Sequence, residues 1–299
     1  MEIREVLKHP RKIIYSLGMK GKLGFIPDES YLKLMYWANT GKKLNLDNPR
    51  TFNEKLQWLK LHDYKPEYSA MVDKYEAKRW VASRIGEEYV IPTLGVWDSF
   101  DEIEFEKLPN QFVLKCTHDS GGLVICKDKC KLDIKKAKKK IEASLKRNYF
   151  FVGREYPYKN VKPRIIAEKF MHDSVNGEVL TDYKFFCFNG KPEIVYISKD
   201  KAKEPRTDFF DMEYNLLPIK MRDPNSEVPP GKPDEFEEMI QIATRLSMGF
   251  KHLRVDFYVI SGKIYVGELT FYHNSGFSEV KPAEWNLKLG AMIDNTIKS

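Results

Sequence analysis

Apolar residues recur at helical spacing through much of the first 90 positions, clearest over 31–39, 52–61 and 73–85, with a turn-rich interval at 41–49 between the first two. From Val90 the texture changes to short apolar runs punctuated by Pro92, Gly95 and Pro109. The runs 112–116 and 123–126 flank Ser120-Gly121-Gly122, which predicts two strands joined by a flexible loop. Over 127–147, Ile134, Ala137, Ile141 and Leu145 repeat every three to four positions, so the dense lysines form the solvated face of a helix. Further strands are predicted over 164–170, 183–188 and 193–197, with Asn189-Gly190 as the turn between the latter two. A helix follows over 234–248, with Phe236, Ile240, Ala243 and Leu246 apolar, Asp234 as its N-cap and Gly249 at its end. Residues 253–260 and 263–270 form a closing hairpin, whereas 199–232 carries no motif that can be interpreted. No internal repeat is evident, and the fold class expected is α+β in at least two lobes.

The last hairpin concentrates the chemistry. Alternation along 253–260 places Arg254, Asp256 and Tyr258 on one face and Val255, Phe257 and Val259 on the other. Whether Glu268 and Thr270 of the return strand join Asp256 depends on parity: a two-residue loop sets Glu268 opposite, whereas an odd loop or a one-residue bulge sets it alongside. Ile260-Ser261-Gly262 suits a three-residue loop ending in a left-handed glycine, so Asp256 and Glu268 are expected to share a side. Two carboxylates among oxygen-bearing neighbours suit Mg²⁺ bridging nucleotide phosphates, and Arg254 could hold a transferred phosphoryl group. The hairpin alone reads equally as solvated surface, and other motifs must decide.

Lys115 ends a strand directly before Thr117-His118-Asp119-Ser120-Gly121-Gly122, whose glycines permit close backbone approach to phosphate oxygens. This is not a Walker A loop, where lysine follows the glycines and a helix comes next. Asp182 and Lys184 stand two apart on one strand face, in reach of ribose and phosphate.

Composition narrows the setting. Across 299 residues, 42% hydrophobic, 31% charged and 13% aromatic content describes a chain that folds unaided. The net charge of +7 attracts nucleic acid, anionic membranes and small anions alike, but no helix-turn-helix, zinc-finger or RNA-binding signature accompanies the lysines. Nucleic acid is therefore not expected as a partner. The first 18 residues lack an apolar run long enough for a signal core or membrane span, which reads as a cytoplasmic protein with no integral membrane segment. Cys116, Cys126, Cys130 and Cys187 show no disulfide spacing, and Cys126 with Cys130 finds no second pair to complete a zinc site.

Five stretches carry a family resemblance: Asn48-Pro-Arg-Thr-Phe-Asn-Glu-Lys-Leu-Gln-Trp-Leu-Lys, Phe112-Val-Leu-Lys-Cys-Thr-His-Asp-Ser-Gly-Gly, Ile165-Ile-Ala-Glu-Lys-Phe, Asp182-Tyr-Lys-Phe-Phe-Cys-Phe-Asn-Gly, and Arg254-Val-Asp-Phe-Tyr through Gly267-Glu-Leu-Thr-Phe-Tyr. In this order they resemble the ATP-grasp superfamily over 70–299, and the whole chain is similar to its TupA-like branch of teichuronopeptide biosynthesis. The resemblance implies an ATP-grasp fold in which two α+β lobes sandwich a nucleotide. It divides the chain into a helical N-terminal segment (1–70), N-terminal and central lobes with the phosphate loop (71–165), and a C-terminal lobe with the metal site (166–299). ATP and Mg²⁺ are the implied cofactors. Lys115 and Lys184 would meet phosphates, the Ser120, Gly121 and Gly122 loop would be a lid, Glu168, Lys169 and Phe170 an adenine hinge, and Asp182 a ribose ligand. Asp256 and Glu268 would hold metal. The superfamily's usual asparagine two residues after the metal glutamate is Thr270 here, with Asn274 four further on, so the third metal contact falls to one of these.

The implied reaction phosphorylates a carboxylate, and an amine then displaces phosphate to give an amide. The implied carboxylate is an anionic carbohydrate such as a uronic acid of cell-surface or capsular polysaccharide. Arg254 would steady the acyl phosphate, with no nucleophilic side chain needed. Alternatives are a sugar kinase, a glycosyltransferase using a pair such as Asp208 and Asp211, and a binding module with a degenerate site. His273, Asn274 and Ser275 are candidate acceptor neighbours.

Overall fold

The computed structural model describes residues 10–173, 180–199 and 205–296. Helices α1 (Pro10–Met19), α2 (Asp28–Thr40), α3 (Phe52–His62), α4 (Glu67–Val72) and α5 (Glu76–Ile85) come first. The start of α3 is fixed by Thr51-x-x-Glu54: the Thr51 hydroxyl accepts from the Glu54 N–H, and the Glu54 carboxylate accepts from the Thr51 N–H at 2.9 Å. Phe52, Leu56 and Leu59 then form its apolar face, packed into the largest core cluster.

Two antiparallel sheets follow. The smaller runs β1 (Thr93–Trp97), β4 (Ile165–Lys169), β2 (Phe112–Cys116), β3 (Leu123–Cys126), and α6 (Ile134–Leu145) covers it with Ala137 and Ile141. A short helix, α7 (Phe150–Gly153), precedes β4. The larger sheet comprises β5 (Asp182–Phe188), β6 (Lys191–Lys199), β7 (Arg206–Phe210), β8 (Leu216–Leu217), β9 (His252–Ile260) and β10 (Lys263–Thr270), in the order β10-β9-β5-β6-β7-β8. Helix α8 (Phe236–Ser247) buries Phe236, Met239, Ala243 and Leu246 on this sheet, and α9 (Ala283–Ala291) lies against α3. The α+β class expected from the sequence is what the chain adopts.

Three local readings need correction. Asp234 does not cap α8: Glu235 occupies the N-cap position without a side-chain cap, because the Pro233 carbonyl takes the Phe236 N–H and the chain enters through a turn. The interval 199–232, without readable motif, supplies β7 and β8; Thr207, Asp208, Phe209 and Phe210 are all buried, so the alternation that signals a half-exposed strand is absent. Strand β1 was also unmarked, its run broken by Gly95, where a Cβ would meet the Trp97 ring at 2.3 Å. The boundary drawn at 165/166 falls at the start of β4, which lies between β1 and β2.

His252, on β9 between the rings of Phe52 and Phe188, is buried and its Nδ1 meets the Cys187 carbonyl at 3.1 Å. Burial pushes its pKa down from 6.5 to about 3. A depressed folded pKa favours the fold above pH 6.5, and that contribution is lost as pH falls from 6.5 toward 3, because the unfolded chain takes up the proton first. Replacing His252 with leucine is expected to flatten the fall in urea midpoint between pH 7 and pH 4.

Candidate functional site

The site is built on β9 and β10, and their hairpin differs from expectation in an informative way. Ser261 and Gly262, at φ 51° and 74°, form a two-residue loop with Ile260 facing Lys263, the geometry that by itself sends Glu268 to the wrong side. A bulge at Gly267 restores parity: Val266 pairs with Phe257, but Glu268 pairs with Asp256 and Thr270 with Arg254. Asp256 and Glu268 thus share a face, through the bulge rather than the loop. Glycine is required there because a Cβ would lie 2.6 Å from the Tyr258 ring. Gly267→Ala is expected to cost about 1–3 kcal/mol by overpacking, read by thermal melting, and to misplace Glu268.

Arg254 is the hub of this face. Its Nε and Nη2 grip Asp256 at 2.6 and 2.7 Å, Nη2 also reaches the Thr270 hydroxyl at 3.0 Å and Glu268 at 3.5 Å, and Nη1 donates to His273 Nδ1 at 2.7 Å. Because a guanidinium only donates, His273 accepts on Nδ1, and its Nε2 lies 3.0 Å from the side-chain amide nitrogen of Asn274. Burial and the Arg254 charge hold the His273 pKa well below its ordinary value. His273 is therefore a buried brace, not a solvated loop histidine.

On β5, Lys184 lies opposite Asp256 and donates to it at 2.5 Å, while also pairing with Asp182 at 3.1 Å. Burial opposes ionisation of Asp256, yet Arg254 and Lys184 more than offset it and bring its pKa down from 3.8 to about 2. Glu268 differs: its side chain is 44% exposed and its one ion pair among the described residues is the 3.5 Å contact to Arg254.

This face forms one wall of a cleft. Lys184, Asp256 and Glu268 line it from the large sheet and Lys115 and Glu168 from the small one; Val72, Val81 and Ile91 give apolar surface. A parallel bridge between Val90 and Val266 joins the approach to β1 to the bulged edge of β10. Glu168 is buried and contacts Lys115 at 2.5 Å and Lys78 at 2.8 Å. Burial would raise its pKa, but the two ammonium groups lower it overall.

A second cavity shares Glu268 with this cleft. Ser120, Glu155, Arg222, Arg254, Glu268 and Asn274 are among its lining residues, with tyrosines 149, 158 and 272 as aromatic walls and Tyr15 and Met19 of α1 over it. Glu268 and no other carboxylate lines both spaces among the described residues.

The structure therefore gathers Lys115, Glu168, Lys184, Asp256 and Glu268 in the cleft, and Ser120, Arg254, Thr270, Asn274 and Ser275 in the second cavity. Asp182 is buried behind Lys184, and Lys169, Phe170, Gly121 and Gly122 line neither space. A Cβ on Gly122 would lie 2.6 Å from both Cys116 Sγ and Ser144 Oγ, so this glycine serves packing; Gly121, at φ 145°, has open space around it. Asp208 and Asp211 do not form a joint site: Asp208 is buried and accepts from the Ser226 N–H, and Asp211 from Asn215. Sequence reading missed Lys74 and Lys78, both in the cleft lining, whose i, i+4 spacing beside Val81 was the available signal. It also missed Glu155, which no motif marks.

The family profile described as TupA-like ATPgrasp matches residues 54–294. No curated protein matches. Among solved structures, the chain is similar to a D-alanine–D-alanine ligase from Bacillus anthracis complexed with ATP, at 17% identity and TM-score 0.42 over 68% of this chain and 55% of that one. It is also similar to an N5-carboxyaminoimidazole synthase from Aspergillus clavatus, at 12% identity and TM-score 0.39 over 69% and 46%, and to the ATP-grasp ligase PsnB, at 11% identity and TM-score 0.38 over 73% and 57%. The chain spans about half the length of these solved chains. The profile covers most of the sequence, and the chain belongs to the TupA-like ATP-grasp family.

Proposed function

We propose that the protein is an ATP-dependent carboxylate–amine ligase, with Mg·ATP in the cleft and the acceptors in the second cavity. The observation that carries this reading is that Glu268 lines both spaces, where a γ-phosphoryl group would pass from nucleotide to carboxylate. Lys115 and Lys184 are held at the cleft wall by Glu168, Asp256 and Asp182. An ammonium has three N–H donors, so both lysines keep capacity for phosphate oxygens. Glu168, which lines the cleft, is proposed for the adenine hinge with Lys169 and Phe170 beside it, Asp182 as a ribose-side acid set behind Lys184, and Ser120 with Gly121 as a lid anchored on the packed Gly122.

The donor chemistry fits Mg²⁺: two carboxylates, Asp256 and Glu268, with the Thr270 hydroxyl or the Asn274 amide nearby, and oxygen donors throughout. Bound there, Mg²⁺ would neutralise charge on the β- and γ-phosphates. Arg254, desolvated and fixed by Asp256, Thr270 and His273, is aimed to stabilise the acyl phosphate and the oxyanion that follows.

The carboxylate proposed is a uronic acid or related unit of cell-surface polysaccharide, such as capsule, and the tyrosine walls of the second cavity suit a sugar ring. The reading places the protein where ATP is supplied, in the cytoplasm; among the described residues no helix is long and apolar enough to cross a membrane. The test is ADP release from Mg·ATP with uronic-acid glycans, with and without amines. Release that requires both acceptors supports the ligase; a phosphorylated glycan without amine would identify a kinase instead.

A further inference from the structure

Glu155 stands just after α7, where Arg154 adopts a left-handed conformation (φ 54°) and turns the chain inward. Its carboxylate is buried at 5% exposure and lines the second cavity with Arg254 and Glu268. The Ser275 hydroxyl donates to its Oε1. Among the described residues it has no ion-pair partner. Lys60, the buried cation that acts on it, already uses three donors on Gln57 Oε1 (2.9 Å), the Gly153 carbonyl (2.7 Å) and the Ser275 carbonyl (2.8 Å). A buried carboxylate whose neighbouring ammonium has its donors engaged elsewhere keeps acceptor capacity for a further positive partner.

We propose that this cavity seats the amine substrate as its ammonium against Glu155, and that Glu155 accepts the proton the nitrogen gives up before attack. The proposal deepens the ligase reading and rests on it for the attack step. Tyr149, Tyr158 and Tyr272 line the same cavity. The groups facing Glu155 are Lys60 from α3, Ser275 from the turn after β10, Arg254 from β9, Glu268 from β10, and these tyrosines. Burial and the Glu268 charge raise its proton affinity, while Lys60, Ser275 and Arg254 act against them; the net shift is upward.

The step balances. One N–H proton passes from the ammonium to Glu155, the freed lone pair forms the C–N bond to the acyl carbon, the C–O bond to phosphate breaks, and a second nitrogen proton leaves with the phosphate.

Glu155→Gln tests this while keeping an acceptor oxygen for the Ser275 hydroxyl. Two amines are compared with a glucuronate-terminated oligosaccharide: methylamine, a cation at pH 7, and hydroxylamine, which is largely neutral there and needs no base to free its lone pair. The variant is expected to lose about 100-fold or more in methylamide formation and to keep hydroxamate formation near the wild-type rate. Binding of methylammonium alone, followed by saturation-transfer NMR, is expected in the wild type and lost in the variant. Equal methylamide rates, a joint fall of both products, or methylammonium binding that is absent or indifferent to the substitution would overturn the proposal. Glu155-dependent methylammonium binding with no hydroxamate from the wild type would instead leave the ammonium site standing and sink the ligase reading.

Discussion

Glu268→Gln is expected to remove more than about 100-fold of ATP-dependent turnover while leaving the melting temperature nearly unchanged. The structural part follows from exposure. The Glu268 side chain is 44% exposed, its contact with Arg254 is 3.5 Å long, and surface pairs of this kind contribute roughly 0–1 kcal/mol. The functional part follows from position, because this carboxylate lies between the two cavities and opposite Asp256. Changes to groups that merely orient metal ligands cost about 10–100-fold, and loss of the charge on a proposed metal ligand should exceed that. The measurements are ADP release at saturating Mg·ATP and a thermal melt of both proteins; a variant that turns over normally would remove Glu268 from the site.

Arg254→Met should behave oppositely, damaging fold and activity together. The guanidinium is buried and satisfies Asp256 twice, and Asp256, itself 2% exposed, would be left with Lys184 alone. Removing one partner of a buried ion pair costs about 3–5 kcal/mol, here increased by the lost bonds to Thr270 and His273. The loss has a pH signature. Asp256, lowered from 3.8 to about 2 by Arg254 and Lys184 against the penalty of burial, contributes stability that is present above pH 3.8 and is lost as pH falls toward 2. Without Arg254 that contribution shrinks, so urea midpoints of variant and wild type should converge as pH is lowered through this window. A variant as stable as wild type at pH 7 would show that the network is not needed for folding.

How far the site could be read in advance depended on what each side chain touches. Alternation along β9 put Arg254 and Asp256 on one face, and local sequence was enough, since their ion pair spans only two residues. The approach of Glu268 to Asp256 was expected for a different reason than the one found: a short loop is readable from Ser261-Gly262, but a bulge at Gly267 is set by the Tyr258 ring packed over it. Lys78 escaped notice because its partner, Glu168, comes from a strand 90 positions later. His273 resembled any loop histidine until Arg254 was found on its Nδ1. The motif at 48–60 was specific yet mute. Its role emerges only in three dimensions, where Gln57 donates to the carbonyls of Ser275 and Gly276 and Lys60 to that of Ser275, bracing a loop in which Asn274 and Ser275 both hold left-handed φ values of 48° and 53°.

The most direct test of the central claim, that the cleft between the sheets is a Mg²⁺–nucleotide site completed by Glu268, is titration of the wild type and Glu268→Gln with a non-hydrolysable ATP analogue, each with Mg²⁺ and with EDTA. The account predicts that Mg²⁺ tightens binding to the wild type and loses most of that effect in the variant. Binding of equal strength in all four titrations, or none in the wild type, would contradict it.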